Sequence, residues 1–497
     1  MGSQGVDAGS EWWRSAVIYE IYPRSFQDSD GDGVGDLAGV ISRLGYLEWL
    51  GVDAIWLAPI YPSPLADFGY DISDYTSIAA EIGTDDQFDE LVEDAHVRGI
   101  RLLLDLVVSH TSIEHRWFRE HPDYYVWSDD GPANNWVASF GGPAWSKDEE
   151  SGRWYLHSFF PQQPDLNWRN PAVREQIGEV VKYWLSRGVD GFRVDAADRL
   201  MKDRRLRDDP VGGPPFPLPI PAEAHGLQLV HSRNDPEIAI ALDALRDAAG
   251  RAPLFGEVYL PGSELAPYVE AFDAVFSFDL LHAAWDAEEL AGVLERLGHS
   301  RGIAWVVSNH DFSRASTRWG TRTVAAAAML LLTLPGSAFI YQGEEIGMCD
   351  GPQASPPLDR WGRDSFRNPM RWEPGPKGAF TTGEPWLPTA DPAGPDVETQ
   401  QRRPDSLLNL YRRLIEARRR LDGPVKGIRA DRGGLTYMRG DRHRVWLNTG
   451  GESLAVEIED GWEVEIDTGG SAADSPARGD LELEPGHGLL LAARREL

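Results

Sequence analysis

PAVREQIGEVVKYWLSRGVDGFRVDA, Pro171 to Ala196, carries a helix, a stop and a strand in 26 residues. Asn170, just before it, is placed to cap the helix, and Pro171 suits the first helical position because its missing N–H has no partner there anyway. Val173, Ile177, Val180, Val181, Trp184 and Leu185 recur at helical spacing and form one apolar stripe. Gly188 sits where a left-handed residue ends a helix. VDGFRVDA then reads as a short strand, mostly apolar until its polar end. The phrase recurs upstream as LAGVISRLGYLEWL, Gly51, VDAIWLAP and as QFDELVEDAHV, Gly99, IRLLLDLVV. Amphipathic helices alternating with short buried strands imply βα units on a parallel sheet.

Eight such strands are legible: AVIYEIYP, DAIWLAP, RLLLDLVV, DGFRVDA, PLFGEVY, DAVFSFD, IAWVVSN and AFIYQG. Eight over some 330 residues predict an α/β fold, a (β/α)8 TIM barrel; a doubly wound open sheet fits the same pattern. Residues 109–168, after strand three, are polar, aromatic and punctuated by Gly and Pro. They are too long for an ordinary loop and read as a small inserted domain. The barrel is therefore expected over 11–108 and 169–425. From 426 to 497, short alternating runs such as GLTYMRG and RVWLNT predict a C-terminal all-β domain. The loops at 208–222 and 350–406 are Pro-rich. The longest apolar run, Val324 to Leu334, is too short to cross about 30 Å of hydrocarbon and reads as a buried helix.

The chain of 497 residues carries 79 acidic and 48 basic side chains, a formal charge of −31. That balance argues against nucleic acid and anionic membranes as partners and favours a neutral or cationic one. Nineteen tryptophans would suit sugar rings, although most serve cores. Cys349 is the sole cysteine, so no internal disulfide and no cysteine-based zinc site can form. The N-terminus lacks a basic stretch followed by an apolar run, and a cytoplasmic location is expected, as a monomer or homodimer.

In a barrel, function gathers at the C-terminal strand ends, and four of them are polar here. Strand three ends with Asp105 and His110, strand four with Arg193 and Asp195, strand five with Glu257, and strand seven with Asn309, His310 and Asp311. Acids buried there cost free energy unless they are paired or used. Arg193 and Asp195, two apart on a strand, share a face, and a guanidinium keeps a neighbouring carboxylate ionised, as a nucleophile requires. Glu257 lies in the apolar phrase LFGEV, where burial raises a carboxyl pKa and suits a proton donor. One carboxylate kept charged and one carboxyl kept neutral are the pair that glycoside cleavage uses.

The phrases IYEIYPRSFQDSDGDGVGDL, FGYDISDY, DLVVSHTS, FGGPAW, QPDLNW, GFRVD, FGEVY, SNHD, YQGEEIGM and RNPMRW, in order over residues 17–372, resemble the α-amylase superfamily in its α-glucosidase and oligo-1,6-glucosidase branch. The resemblance implies Asp195 as nucleophile, Glu257 as general acid/base and Asp311 as the third acid, which grips the sugar. It implies Asp71, His110, Arg193, His310 and Arg367 as the rest of the glucose pocket, with Tyr70 as a platform beneath the ring. The chain departs from the family at Ser109, where Asn is usual, at Arg371, where Gln is usual, and at Phe312-Ser313, where Gln-Pro is common. Arg371 and Phe312-Ser313 are expected near the substrate rim.

DSDGDGVGD, Asp28 to Asp36, opens like a calcium loop. Asp28, Asp30, Asp32 and Gly33 fit positions 1, 3, 5 and 6 of a helix–loop–helix site, Val34 offers a carbonyl, and Asp36 a further acid. Position 12 is Gly39, so this is no complete sensor hand, and a solvated acidic turn is the alternative. The family places a structural Ca2+, sometimes Mg2+, in this loop. No nucleotide fingerprint, G-x-S-x-G elbow or H-E-x-x-H motif occurs, and His110, His115 and His121 lack zinc spacing. No organic cofactor is expected.

The sequence thus predicts a retaining exo-acting α-glucosidase acting on small α-glucosides, with α-1,4 bonds favoured because the small Ala196 follows the nucleophile. An α-glucosyltransferase or sucrose isomerase would use the same catalytic residues. The family's non-catalytic ancillary subunits of amino-acid transporters lack the intact acids and carry an anchor.

Overall fold

In the computed structural model, residues 11–469 and 479–494 are described; the N-terminal ten residues read for a leader lie outside them. Eight parallel strands close into a barrel: β1 (Val17–Ile21), β2 (Ala54–Leu57), β3 (Arg101–Leu106), β4 (Gly191–Val194), β5 (Leu254–Gly256), β6 (Ala274–Ser277), β7 (Ile303–Trp305) and β8 (Ser337–Tyr341). Each pairs with its sequence neighbours, and β1 closes on β8 in the register Val17↔Ala338 to Glu20↔Tyr341. Closure rules out the open sheet.

The helix of the opening phrase spans Pro171–Ser186. The Asn170 side chain accepts the Ala172 N–H at 2.9 Å, and Gly188 has φ +92°. Trp184, fully buried, donates its indole N–H to the Tyr75 carbonyl at 2.8 Å. Burying such a ring contributes about 4–6 kcal/mol before the entropy of ordering it is subtracted. The helix at Val324–Thr333 is buried along nearly its whole length, and among the described residues no helix is long and apolar enough to cross a membrane.

Between β3 and β4 a three-stranded sheet forms from Trp127–Ser128, Trp154–Leu156 and Trp145–Lys147. The C-terminal part holds a five-stranded antiparallel sheet beginning at Val425 and a two-stranded sheet, Leu454–Ile458 with Gly479–Leu483.

Strand periodicity explains why the barrel has an apolar floor and a charged ceiling. Ile18 and Glu20 are two apart on β1, as are Leu103 and Asp105 on β3, and Phe255 and Glu257 at β5, so each pair points inward. Ile18, Leu103 and Phe255 join Trp56, Phe276 and Phe339 in a buried plug. Glu20, Asp105 and Glu257 stand one layer higher, where the strands end.

Candidate active site

Arg193 organises the ceiling. It pairs in register with Asp105 across β4 and β3. Its Nη1 lies 2.8 Å from Asp105 and 2.7 Å from Asp195, and its Nη2 lies 2.7 Å from Glu257. The guanidinium also sits 5.0 Å over the Trp56 ring. One rigid fork therefore fixes three carboxylates. Asp195 and Glu257 therefore stand side by side on the two nitrogens of one guanidinium. Ala196 adopts φ +44° and ψ +48°, a left-handed conformation unusual for a residue with a Cβ. Its N–H donates to Glu257 Oε2 at 3.0 Å.

Burial raises Glu257 to about 8, against the pull of Arg193. Burial also raises Asp195, to about 7, with Arg193 opposing. The expectation that Arg193 alone keeps Asp195 fully ionised is thus modified: desolvation outweighs the guanidinium, yet Asp195 remains the stronger acid of the two. Of the two, Glu257 keeps its proton to the higher pH. Asp311 behaves differently. Burial works to raise it, but His310, Arg363, Arg367 and Arg193 hold it well below the usual carboxylate range.

These acids face a cavity of about 230 Å3. Asp195, Glu257, Asp311, Tyr70 and His110 line it. His110 is neutral, its pKa lowered by burial. The Ser109 hydroxyl lies 2.8 Å from its Nδ1, and its Nε2 lies 3.0 Å from the Tyr70 carbonyl. Ser109 therefore orients the ring despite being shorter than the usual Asn. The Tyr70 ring stacks on His310, and its hydroxyl lies 2.9 Å from Asp105 and 2.7 Å from His310 Nε2.

The structure corrects the placement of several expected pocket residues. Asp71 does not reach the cavity. It is fully buried, and its carboxylate accepts from Ser63 Oγ and from the Ala66 and Asp67 N–H groups, so it shapes the loop. Asp67 takes the place on the wall. Arg193, His310 and Arg367 lie behind the wall, almost without exposure. Arg367 reaches Asp311 at 3.0 Å from beneath, its guanidinium over Tyr22. Of the two arginines that reach Asp311, the one on the cavity wall is Arg363, which holds Asp311 at 2.9 Å, Asp359 at 2.7 Å and also Asp67. Arg371 is not at the rim: it is buried and donates to the carbonyls of Gly375, Pro392 and Pro395. Phe312 does line the cavity, with Pro219, Ile220 and Pro221 of the first Pro-rich loop. Glu20, unremarked in sequence, accepts from or donates to His310 Nδ1 at 2.5 Å. The signal for it was present, since it is an acid two residues beyond inward-facing Ile18 in an otherwise apolar strand.

In the acidic loop, carboxylate oxygens of Asp28, Asp30 and Asp36 approach within 4.8 Å of one another. Asp32 is outside this group; its carboxylate instead accepts the Val34 N–H at 2.7 Å. Burial works to raise Asp28, but hydrogen bonds from Thr381 and the Gly31, Gly33 and Asp30 N–H groups hold its pKa down. The donor set, three converging hard oxygen ligands on a tight loop, fits Ca2+ or Mg2+.

Two carboxyls of unequal acidity on one guanidinium, facing a cavity, are the chemistry of glycosidic bond cleavage, and the protein is a glycoside hydrolase. It belongs to the α-amylase family: residues 20–427 match the family described as "Alpha amylase, catalytic domain". Maltase 1 of Drosophila virilis is 40% identical over 83% of this chain and 73% of its own length. The oligo-1,6-glucosidase of Heyndrickxia coagulans is 35% identical over 83% of this chain and 86% of its own. Among solved structures, an alpha-glucosyl transfer enzyme superimposes with a TM-score of 0.88 at 35% identity, covering 97% of this chain and 99% of that one.

Proposed function

We propose that the protein is a retaining exo-α-glucosidase. The observation that carries this reading is the single guanidinium of Arg193 holding Asp195 and Glu257 side by side at the cavity. Asp195 attacks the anomeric carbon while Glu257 passes its proton to the leaving oxygen, giving a β-glucosyl-enzyme. Glu257, now a carboxylate, takes a proton from water, whose oxygen displaces Asp195 and releases α-glucose. Asp67, His110, Asp311 and Arg363 crowd one end of the cavity with hydrogen-bonding groups, which suits a terminal ring with many hydroxyls. Phe312, Tyr259 and Pro219–Pro221 add apolar surface to the opposite side, on which a sugar acceptor can pack in competition with water, and this favours some glucosyl transfer beside hydrolysis.

The reading extends to α-1,4 over α-1,6 bonds, supported by Ala196 on the cavity wall next to the nucleophile. A structural divalent cation, held by Asp28, Asp30 and Asp36 with the Val34 carbonyl as a further ligand, would brace the β1 loop without entering the reaction. The single cysteine supports a reducing, cytoplasmic setting. The test is kcat/KM on maltose, isomaltose, sucrose and trehalose, with Ala196→Val in parallel. A methylene or two of crowding is worth only ~1–3 kcal/mol, and a β-branched side chain at φ +44° adds backbone strain. The variant should therefore lose activity on maltose more than on isomaltose. A wild-type preference for isomaltose, or an unchanged ratio in the variant, contradicts the linkage assignment.

A further inference from the structure

The arginines of the cavity fall into two groups. On the sugar side, Arg193 holds three carboxylates at 2.8, 2.7 and 2.7 Å, and Arg363 holds three more. Beyond Glu257 the pattern reverses. Arg199 and Arg233, both buried and both on the cavity wall, share one carboxylate, Asp198. The distances are 3.8 Å from Arg199 Nε and 4.0 Å from Arg233 Nη1, too long for hydrogen bonds. Among the described residues the facing Asp198 Oδ2 has no hydrogen-bond partner, and neither has Arg233 Nε. The polar contacts that remain are weak and neutral. Arg199 Nη2 donates to Ser139 Oγ at 3.0 Å, and Arg233 Nη1 donates to the Tyr259 carbonyl at 3.3 Å. Burial, reinforced by Arg199, lowers Arg233 to about 9. A buried guanidinium whose paired acid stands 4.0 Å away and is shared with a second arginine is poorly compensated for its desolvation, and a ligand bringing a closer negative charge would improve on it.

Position identifies that ligand. Arg199 lies on the turn Ala197–Arg199 directly after the nucleophile and Ala196. Arg233 packs on Phe216 of the Pro-rich loop and contacts the backbone two residues past Glu257. The general acid faces the leaving oxygen, so both guanidiniums border the leaving group rather than the glucose.

We propose that the acceptor side of the cavity binds an oxyanion, so that the preferred substrates are α-glucosides whose leaving group carries a phosphate or carboxylate. This rests on the α-glucosidase reading and names its substrate class. It departs from the neutral or cationic partner expected from net charge. That field is screened beyond about 8 Å at physiological ionic strength, whereas the arginines act at contact distance.

The experiment compares kcat/KM within two substrate pairs sharing the same bond: trehalose 6-phosphate against trehalose, and α-glucosylglycerate against α-glucosylglycerol. At least one anionic member should be favoured about tenfold or more, the effect of a charge-assisted hydrogen bond gained. The favoured pair identifies phosphate or carboxylate. Arg199→Gln and Arg233→Gln should bring that ratio towards one, whatever they do to overall activity; a purely structural role in holding the loop would leave it unmoved. As a readout independent of the variants, inorganic phosphate should inhibit wild-type hydrolysis of neutral 4-nitrophenyl α-glucoside more strongly than sodium chloride of equal ionic strength. Preference for the neutral member of both pairs, or an unchanged ratio in both variants, overturns the proposal. Failure to hydrolyse 4-nitrophenyl α-glucoside at all would instead overturn the α-glucosidase reading.

Discussion

Glu257 should make the enzyme less stable than it need be at neutral and alkaline pH. Its carboxyl is raised from 4.5 to about 8 by burial, with its side chain only 16% exposed. Below pH 4.5 it is protonated in both folded and unfolded chains, and its stability contribution is fully present. As pH rises, the unfolded chain ionises first and gains free energy that the folded protein cannot match until about pH 8. At about 1.36 kcal/mol per pH unit, the loss reaches roughly 3 kcal/mol at pH 7 and roughly 5 kcal/mol above pH 8. Glu257→Gln removes the titration while keeping a side chain that can donate to Asp195 and accept from Arg193. The melting temperature of the variant should match wild type near pH 4.5 and exceed it increasingly from pH 6 to pH 9, while turnover of maltose collapses. Wild-type kcat/KM should fall on the alkaline side near pH 8, and Glu257→Gln should lose that limb with activated substrates that need no acid. A variant no more stable than wild type at pH 9 would refute the burial argument.

Three other outcomes follow from the same geometry. Asp195→Asn should reduce turnover by more than about 10^3-fold, over 4 kcal/mol of lost transition-state stabilisation, without changing the circular dichroism spectrum; wild-type-like rates in a clean preparation would displace the nucleophile. Arg363→Gln leaves buried Asp67 without its cation and Asp359 with only Arg367 at 3.5 Å, at a cost of about 3–5 kcal/mol. Its melting temperature should fall and KM rise more than kcat falls, and an unchanged KM would remove Arg363 from the glucose site. Chelation should lower the melting temperature more than initial activity at mild temperature, since a cation at a hundredfold excess over its Kd stabilises the folded state by about 2.7 kcal/mol. Metal analysis finding no ion after equilibration with calcium would end that assignment.

The barrel was legible because helix, glycine and strand recur in one phrase, and because inward-facing positions switch from apolar to acidic at several strand ends. The exact wall of the pocket was not. Asp67 and Asp71 flank the same FGY, and nothing in their spacing tells which turns towards the cavity. The loop decides it, with Phe68 at φ +44° and Gly69 at φ +110°. Arg363 and Arg367 present the same ambiguity, since both reach Asp311 and only packing under Tyr22 sets Arg367 behind the wall. Asp32 was expected to point at a cation because of its position in the loop, but its carboxylate caps the Val34 N–H instead. The loosely paired Arg199 and Arg233 lie 34 residues apart in sequence and meet only because the Pro-rich loop folds back over the strand-four turn.

The most direct test of the central claim is to stall the reaction with a fluorinated α-glucosyl fluoride and locate the covalent label by mass spectrometry of the digested protein. A glucosyl adduct is expected on Asp195, within GFRVD. A label on Glu257 or Asp311, or release of β-glucose with no adduct formed, would contradict it.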